Sequence, residues 1–246
     1  MEVTQIDALL RLIIAHLLAD FIFQSDKIVK EKKKGLFSKY FYIHIFIVGF
    51  LTYLIYAQWS NWLAPALMIG FHAAIDLFRI KNIVKNPGGF LLDQMLHFLS
   101  ILFIWIIVTD NTFSGVFHYL INTEIGNPVF IIIIAYLLIS LPTSILIGQM
   151  TMKWQKEISV EDSESLTSAG KWIGIIERLL IMTFILIGQW APIGFLLAGK
   201  SVFRFGDLNR SGERKKTEYI LLGTLLSFTT AIIIGILAIA LMGNRF

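Results

Sequence analysis

The stretch GFHAAIDLFRI, Gly70 to Ile80, sets a histidine and an aspartate four residues apart inside a run that otherwise reads as membrane-spanning. Residues at that spacing share one helix face, about 6 Å apart along the axis. His72 and Asp76 therefore aim at one point. An unpaired ionisable group at the bilayer centre costs about 2.5–3.5 kcal/mol on insertion scales, so the pair needs a partner that repays its burial.

The rest of the chain agrees with a membrane setting. It has 246 residues, 56% of them hydrophobic and 15% charged, with a mean hydropathy of +0.73. That is far too apolar for a soluble globule and places the chain in the polytopic membrane class. There is no cysteine, which excludes disulfides, thiolate nucleophiles and Cys-ligated zinc. Any metal site must use His, Asp or Glu. The net charge of +4 calls for no nucleic acid, because Lys and Arg gather in short loops as cytoplasmic flanks do. The opening MEVTQID is acidic and lacks the basic start of a secretory signal, so the first apolar stretch reads as a retained span.

A helix needs about 20 apolar residues to cross the hydrocarbon core. The expected fold is an all-α polytopic transmembrane bundle of about eight spans, near 5–23, 40–58, 61–79, 88–109, 127–152, 171–189, 191–205 and 217–242. The count falls to seven if the short stretch 191–205 is re-entrant. The basic loops QSDKIVKEKKKGLFSK, RIKNIVK and KSVFRFGDLNRSGERKK belong inside by the positive-inside rule. With eight spans they share one side of a bacterial inner membrane, and both termini fall outside. The loop Asp110 to Asn127 carries no Lys or Arg and divides a four-helix module at 1–110 from a second at 127–246. KWQKEISVEDSESLTSAG reads as a solvated linker. Pro142 should kink the fifth span, with Thr143 and Ser144 at hand to satisfy the freed backbone groups.

Four of the five histidines fall inside expected spans: His16, His44, His72 and His97. Their companions are Asp20, Asp76 and Asp93, spaced as H-x-x-x-D, H-x-x-x-D and D-x-x-x-H. In the alternating topology all seven fall in the cytoplasmic third of the membrane. The similarity of HLLADFIF at 16–23 to HAAIDLFR at 72–79, each followed by a helix bearing His44 or His97, suggests a parallel hairpin repeat. Four imidazoles and three carboxylates suit Zn, Mn or Fe(II). Seven ligands suffice for one ion, or for two about 3.5–4 Å apart. Some carboxylates could instead be partners that fix a histidine tautomer. The same residues would also serve a proton or ion relay, or a purely structural polar network.

The order HLLADFIFQSD, His44, FHAAIDL and LLDQMLH resembles the bacterial membrane proteins grouped as domain of unknown function 3307, over roughly residues 8–105. The stretches GKWIGIIERLLIMTFILIGQ, GFLLAGKSVFRFG and RKKTEYILLGTLLSF look like the C-terminal extension of longer members. The family's name implies no activity. More distantly, the intramembrane HxxxD motifs are similar to those of inner-membrane metal-dependent hydrolases.

A second cluster comprises Glu177 and Arg178, Lys200 and Arg204, and Lys215, Lys216, Glu218 and Tyr219, all near the expected inner face. Lys200, Arg204, Glu177 and Arg178 are candidates for holding a lipid phosphate, against the plainer reading that terminal Lys and Arg snorkel to the interface. Glu177 and Arg178 sit deeper and are expected to meet the final helix. The run KIVKEKKKGLFSK is a solvated flank that also attracts anionic lipid, at about 1 kcal/mol per basic residue. Gly170 and Gly174 form a GxxxG spacing that permits close helix approach.

Three functions follow as expectations. The first is a metal-dependent hydrolase of a lipid or phosphoester, with His16, Asp20, His44, His72, Asp76, Asp93 and His97 as ligands. A bound water is then the nucleophile, and one of Asp20, Asp76 and Asp93 could act as base. The second is a metal-ion or proton transporter. The sparse polar residues in the outer halves of the first four spans, chiefly Arg11, Thr52 and Ser100, favour a one-sided site over this reading. The third is a structural or regulatory membrane protein with a structural metal, whose inner loops recruit a cytoplasmic partner.

Overall fold

The computed structural model describes residues 4–82, 86–109, 126–158, 169–202 and 214–243, and among them every regular element is helical. The loop 110–125, most of the acidic linker and the basic stretch holding Arg204 lie outside the described residues. The chain divides into two compact units, Met1–Leu137 with Leu241–Gly243, and Leu138–Ala240 with Asn244–Phe246.

In the first unit α1 runs Gln5–Leu17, opened by Thr4, whose side chain accepts from the Asp7 N–H. It continues without a break into a π-helical turn, Leu18–Ile22, closed by Phe23 N–H to Leu18 O at 2.9 Å. A short α2, Asp26–Glu31, and a 3-10 segment, Lys32–Phe37, then lead to α3, Lys39–Tyr56, which Ser38 caps. Helix α4 spans Leu63–Asn82. Helix α5 spans Pro87–Val108, with Asn86 as cap and proline in its first turn, where a missing N–H costs nothing.

The four long helices close a ring: α1 packs on α3, α3 on α4, α4 on α5 and α5 back on α1. Each turns one stripe inward, and along α1 and α4 that stripe advances in steps of four: Ala8, Leu12, His16, Asp20 and Ala64, Met68, His72, Asp76. One half of the bundle is therefore an apolar core of Leu12, Val48, Met68, Ile101, Ile104 and Trp105. The other half is the His/Asp layer. The outward faces of the same helices show Phe46, Phe50, Phe98 and Phe103, so the elements are apolar all round, as lipid-facing helices must be. At Gly49, α3 and α4 approach so closely that a Cβ would lie 2.8 Å from Ile69 Cγ1.

Helix α6, Pro128–Ile139, begins in the first unit. It is separated at Ser140 from α7, Leu141–Ile158. The break comes from Pro142, which lacks the N–H that Leu138 O would accept. Thr143 Oγ1 takes that carbonyl at 2.7 Å, and Ser144 Oγ takes Ser140 O at 2.9 Å. The second unit continues with α8, Ala169–Leu186, α9, Ala191–Val202, and α10, Arg214–Leu241. Its core gathers Ile181, Ile185, Ile193, Phe228 and Ala231.

By length and composition, five helical stretches can cross a membrane: Lys39–Tyr56, Leu63–Ile80, Pro87–Val108, Pro128–Gln155 and Lys215–Leu241. The other three expected spans differ for physical reasons. The first is divided between α1 and its π turn. Lys171, Glu177 and Arg178 lie within α8. The described part of α9 has 12 residues, which rise about 18 Å against a core about 30 Å thick.

Candidate metal centre

All seven histidines and aspartates singled out in the front half come to one layer of the first bundle. His16, His44, His72, Asp76, Asp93 and His97 are buried, and the Asp20 side chain is 7% exposed. The imidazoles form a continuous run. His16 stacks on His97 at 4.9 Å between ring centroids, His97 lies 4.4 Å from His72, and His72 lies 5.0 Å from His44.

The tightest group joins three elements. Asp20 Oδ1 lies 3.2 Å from His72 Nε2 and 3.3 Å from His44 Nε2, and the two nitrogens are 3.0 Å apart. Those contacts miss hydrogen-bond geometry at Asp20 Oδ1, which is buried with no hydrogen-bond partner. Asp20, His44 and His72 thus each bring a ligand-capable atom to one small region, and His44 Nε2 and His72 Nε2 share a hydrogen bond there. Tetrahedral bonds of 2.0–2.1 Å to N or O put neighbouring ligand atoms about 3.3 Å apart, so this triangle has the size of one face of such a site. Asp76 Oδ2 lies 3.5 Å from His44 Nε2 and 3.8 Å from His72 Nε2, near the remaining corner. Two further sets of donors, His16/Asp20/His97 and His72/Asp76/His97, also fall within 4.8 Å of one another.

Asp20 sits within the π turn, Leu18–Ile22. The expectation from H-x-x-x-D spacing pairs Asp20 with His16 on one α-helical face. That proximity is kept, since His16, Asp20 and His97 offer ligand atoms within 4.8 Å of one another, and Asp20 also reaches His44 on α3 and His72 on α4.

Four residues at the layer were not singled out from the sequence. Lys32 Nζ bonds both oxygens of Asp76, at 3.0 and 2.9 Å, and is itself buried. Arg79 Nη1 bonds Asp93 Oδ2 at 2.8 Å, and Gln94 Nε2 reaches the same oxygen at 3.1 Å. Gln24 Nε2 lies 2.9 Å from His44 Nε2. Lys32 shares a face with Ile28 one turn before it, and both are buried. That periodicity was the one signal separating it from Lys33 and Lys34. Two of the three carboxylates thus have a cation, and Asp20 has none among the described residues. Counted with ionised carboxylates and neutral imidazoles, the layer has three acids against Lys32 and Arg79, a balance that a metal cation or a proton on an imidazole would even out.

The second cluster is arranged differently from its sequence reading. Lys200 Nζ bonds Glu177 Oε2 at 2.6 Å, beside an open groove of about 540 Å³ walled by Phe184, Pro192, Phe195 and Leu196. Arg204, its expected partner, is outside the described residues. Arg178 does meet the final helix, through Ser227 Oγ at 2.9 Å. Its other bonds go to Ser140 O at 3.1 Å, to Ile139 O and to Ser144 Oγ. A guanidinium so engaged closes the break before Pro142 and does not present itself to a headgroup. Gly174 leaves room for this side chain, since a Cβ there would lie 3.2 Å from Arg178 Nη1, and Gly170 meets nothing within 4 Å. The GxxxG spacing therefore makes no close helix contact among the described residues.

Residues 8–124 match the family described as Protein of unknown function (DUF3307). No curated protein and no solved structure matches the chain.

Proposed function

The front of this chain belongs to the DUF3307 family, which its description leaves without an activity, and from that starting point we propose that its His/Asp layer binds a divalent transition metal. Zn, Mn and Fe(II) all suit the donor set, and one or two ions fit the number of ligands. The primary ligands are Asp20, His44 and His72, with Asp76 beside them. His16, Asp93 and His97 complete the layer or hold its tautomers. The observation that carries this reading is the triangle of Asp20 Oδ1, His44 Nε2 and His72 Nε2, with edges of 3.0–3.3 Å and no hydrogen-bond donor at Asp20 Oδ1.

We further infer a hydrolase acting on a lipid or phosphoester at the cytoplasmic leaflet of the inner membrane, in a chain of about eight spans. The ion, when bound, would supply Lewis acidity and lower the pKa of a coordinated water. The chain's own residues supply the rest. Asp20, His44 and His72 would hold the ion, Asp76 or Asp93 is the candidate base, and Leu12, Met68 and Ile104 form the apolar core of the same bundle. Elemental analysis of the purified protein should find a transition metal at stoichiometric level, lost in His72→Ala. Hydrolysis of phospholipid vesicles or of a soluble chromogenic phosphodiester should fall with it. Absence of metal from a folded preparation ends the metal reading, and full loading with no turnover of either substrate ends the hydrolase reading.

A second reading is favoured by the unbroken run of imidazoles from His16 to His44. Such a run suits proton or metal-ion passage. Proteoliposome uptake of protons or metal that Asp76→Asn abolishes would place transport first.

A further inference from the structure

The segment from Asp26 to Phe37 lies as a strap against the end of the bundle that holds the His/Asp layer. Its lysines divide by face. Lys32 points inward to both oxygens of Asp76, whereas Lys27, Lys30, Lys33 and Lys34 are exposed. Ile28, Lys32, Gly35 and Ser38 form the buried face, with Gly35 against Leu77. Gly35 has φ 62° and ψ −137°, a conformation costly for any side chain, and it separates the inward Lys32 from the outward end of the strap.

That outward end has no partner within the described residues of the chain. Phe37 is 98% exposed, and Leu36 and Val29 are exposed beside it. Glu31 is tied to Lys34 at 2.7 Å, so the remaining exposed lysines outnumber the acids. The strap leads within two residues into α3, whose stretch Lys39–Tyr56 is long and apolar enough to span a membrane. It therefore lies at the level of a membrane–water interface. An apolar edge ringed by ammonium groups at that level complements a phospholipid surface with anionic headgroups. Phe37 and Leu36 would enter the acyl boundary, and the lysines would meet phosphates.

We propose that the strap docks on an anionic phospholipid surface and that docking holds Lys32 on Asp76, so that bilayer charge sets how firmly the His/Asp layer is closed. In this arrangement Ile28 and Lys32 face the bundle while Leu36 and Phe37 face outward, so a surface that binds the outward residues as they stand favours the seated strap. This coupling requires no metal and holds whichever chemistry the layer performs.

The test uses the full chain reconstituted in two bilayers, one of phosphatidylcholine and one of phosphatidylcholine mixed with phosphatidylglycerol. A water-soluble acylating reagent is applied, and mass spectrometry reads the ratio of modification at Lys32 to that at Lys33. Lys33 is exposed next door and corrects for surface pH and general shielding by headgroups. The ratio is expected to be lower in the anionic bilayer by on the order of tenfold, given several lysines at the surface. In Asp76→Asn it should rise in the anionic bilayer. An equal ratio in the two bilayers overturns the docking claim using the unaltered protein alone. A ratio that stays low in a folded Asp76→Asn protein overturns the role of the Lys32–Asp76 bond.

Discussion

His97 donates its Nδ1 hydrogen to the main-chain carbonyl of Asp93, 2.9 Å away and one turn back along α5. A carbonyl oxygen can only accept, so the neutral imidazole keeps its proton on Nδ1 and its lone pair on Nε2. Nε2 is buried without a hydrogen-bond partner. It lies in the layer with His16, Asp20, His72 and Asp76. Nitrogen NMR of the metal-free protein at neutral pH should show His97 as the Nδ1–H tautomer. Added zinc should shift the resonance of Nε2 more than that of Nδ1. The opposite tautomer would remove His97 from any role as a ligand through Nε2.

Substitutions in the layer should separate into two groups. Asp20→Asn, His44→Ala and His72→Ala each remove a corner of the triangle and should abolish stoichiometric metal. Asp93→Asn acts through Arg79 and Gln94. It should weaken binding by about 10- to 100-fold, the usual effect of an outer-shell partner. Competition with a chelator of known affinity reads both. Equal losses at Asp93 and Asp20 would make Asp93 a direct ligand.

Lys32 and Asp76 form a buried ion pair, and removing one partner leaves the other charged and unpaired. Lys32→Met should destabilise the first unit by about 3–5 kcal/mol. The double variant Lys32→Met with Asp76→Asn should recover most of that loss. Unfolding in mixed detergent micelles measures each corner of the cycle. Strict additivity would mean that the pair contributes no coupling.

Arg178 should matter in proportion to the break it closes. Arg178→Leu takes its bonds from the carbonyls of Ile139 and Ser140, of which Ser140 O keeps Ser144, so the expected cost is about 1–3 kcal/mol. Pro142→Ala restores a backbone donor to the same turn, so Arg178→Leu should cost less in that background. Thermal unfolding of the four proteins tests this, and an equal cost in both backgrounds would separate Arg178 from the proline.

The sequence exposes the His/Asp layer because four-residue spacing is a property of a single helix, and burying four imidazoles in apolar runs has few explanations. The break at Pro142 and its repair by Thr143 and Ser144 are legible for the same local reason. Lys32, Arg79 and Arg178 are not. Each finds its partner on another element, and within the lysine run only the four-residue spacing from Ile28 marks Lys32 as facing inward. The span count is legible only in part: five stretches are long and apolar enough to cross, whereas α8 carries charges and the described part of α9 has 12 residues. The π turn is also silent, since LADFI has nothing that an ordinary α-helix could not hold.

That turn makes the layer sensitive to chain length. A π turn is an α-helix with one residue too many, and Asp20 lies within it at Leu18–Ile22. Deleting a single residue there would return the turn to regular winding and change the direction in which Asp20 projects. The acid would leave its two histidines with every side chain in the layer still encoded. Among related chains, a one-codon gap at this point would therefore mark a bundle that keeps its shape and loses the grouping of Asp20 with His44 and His72.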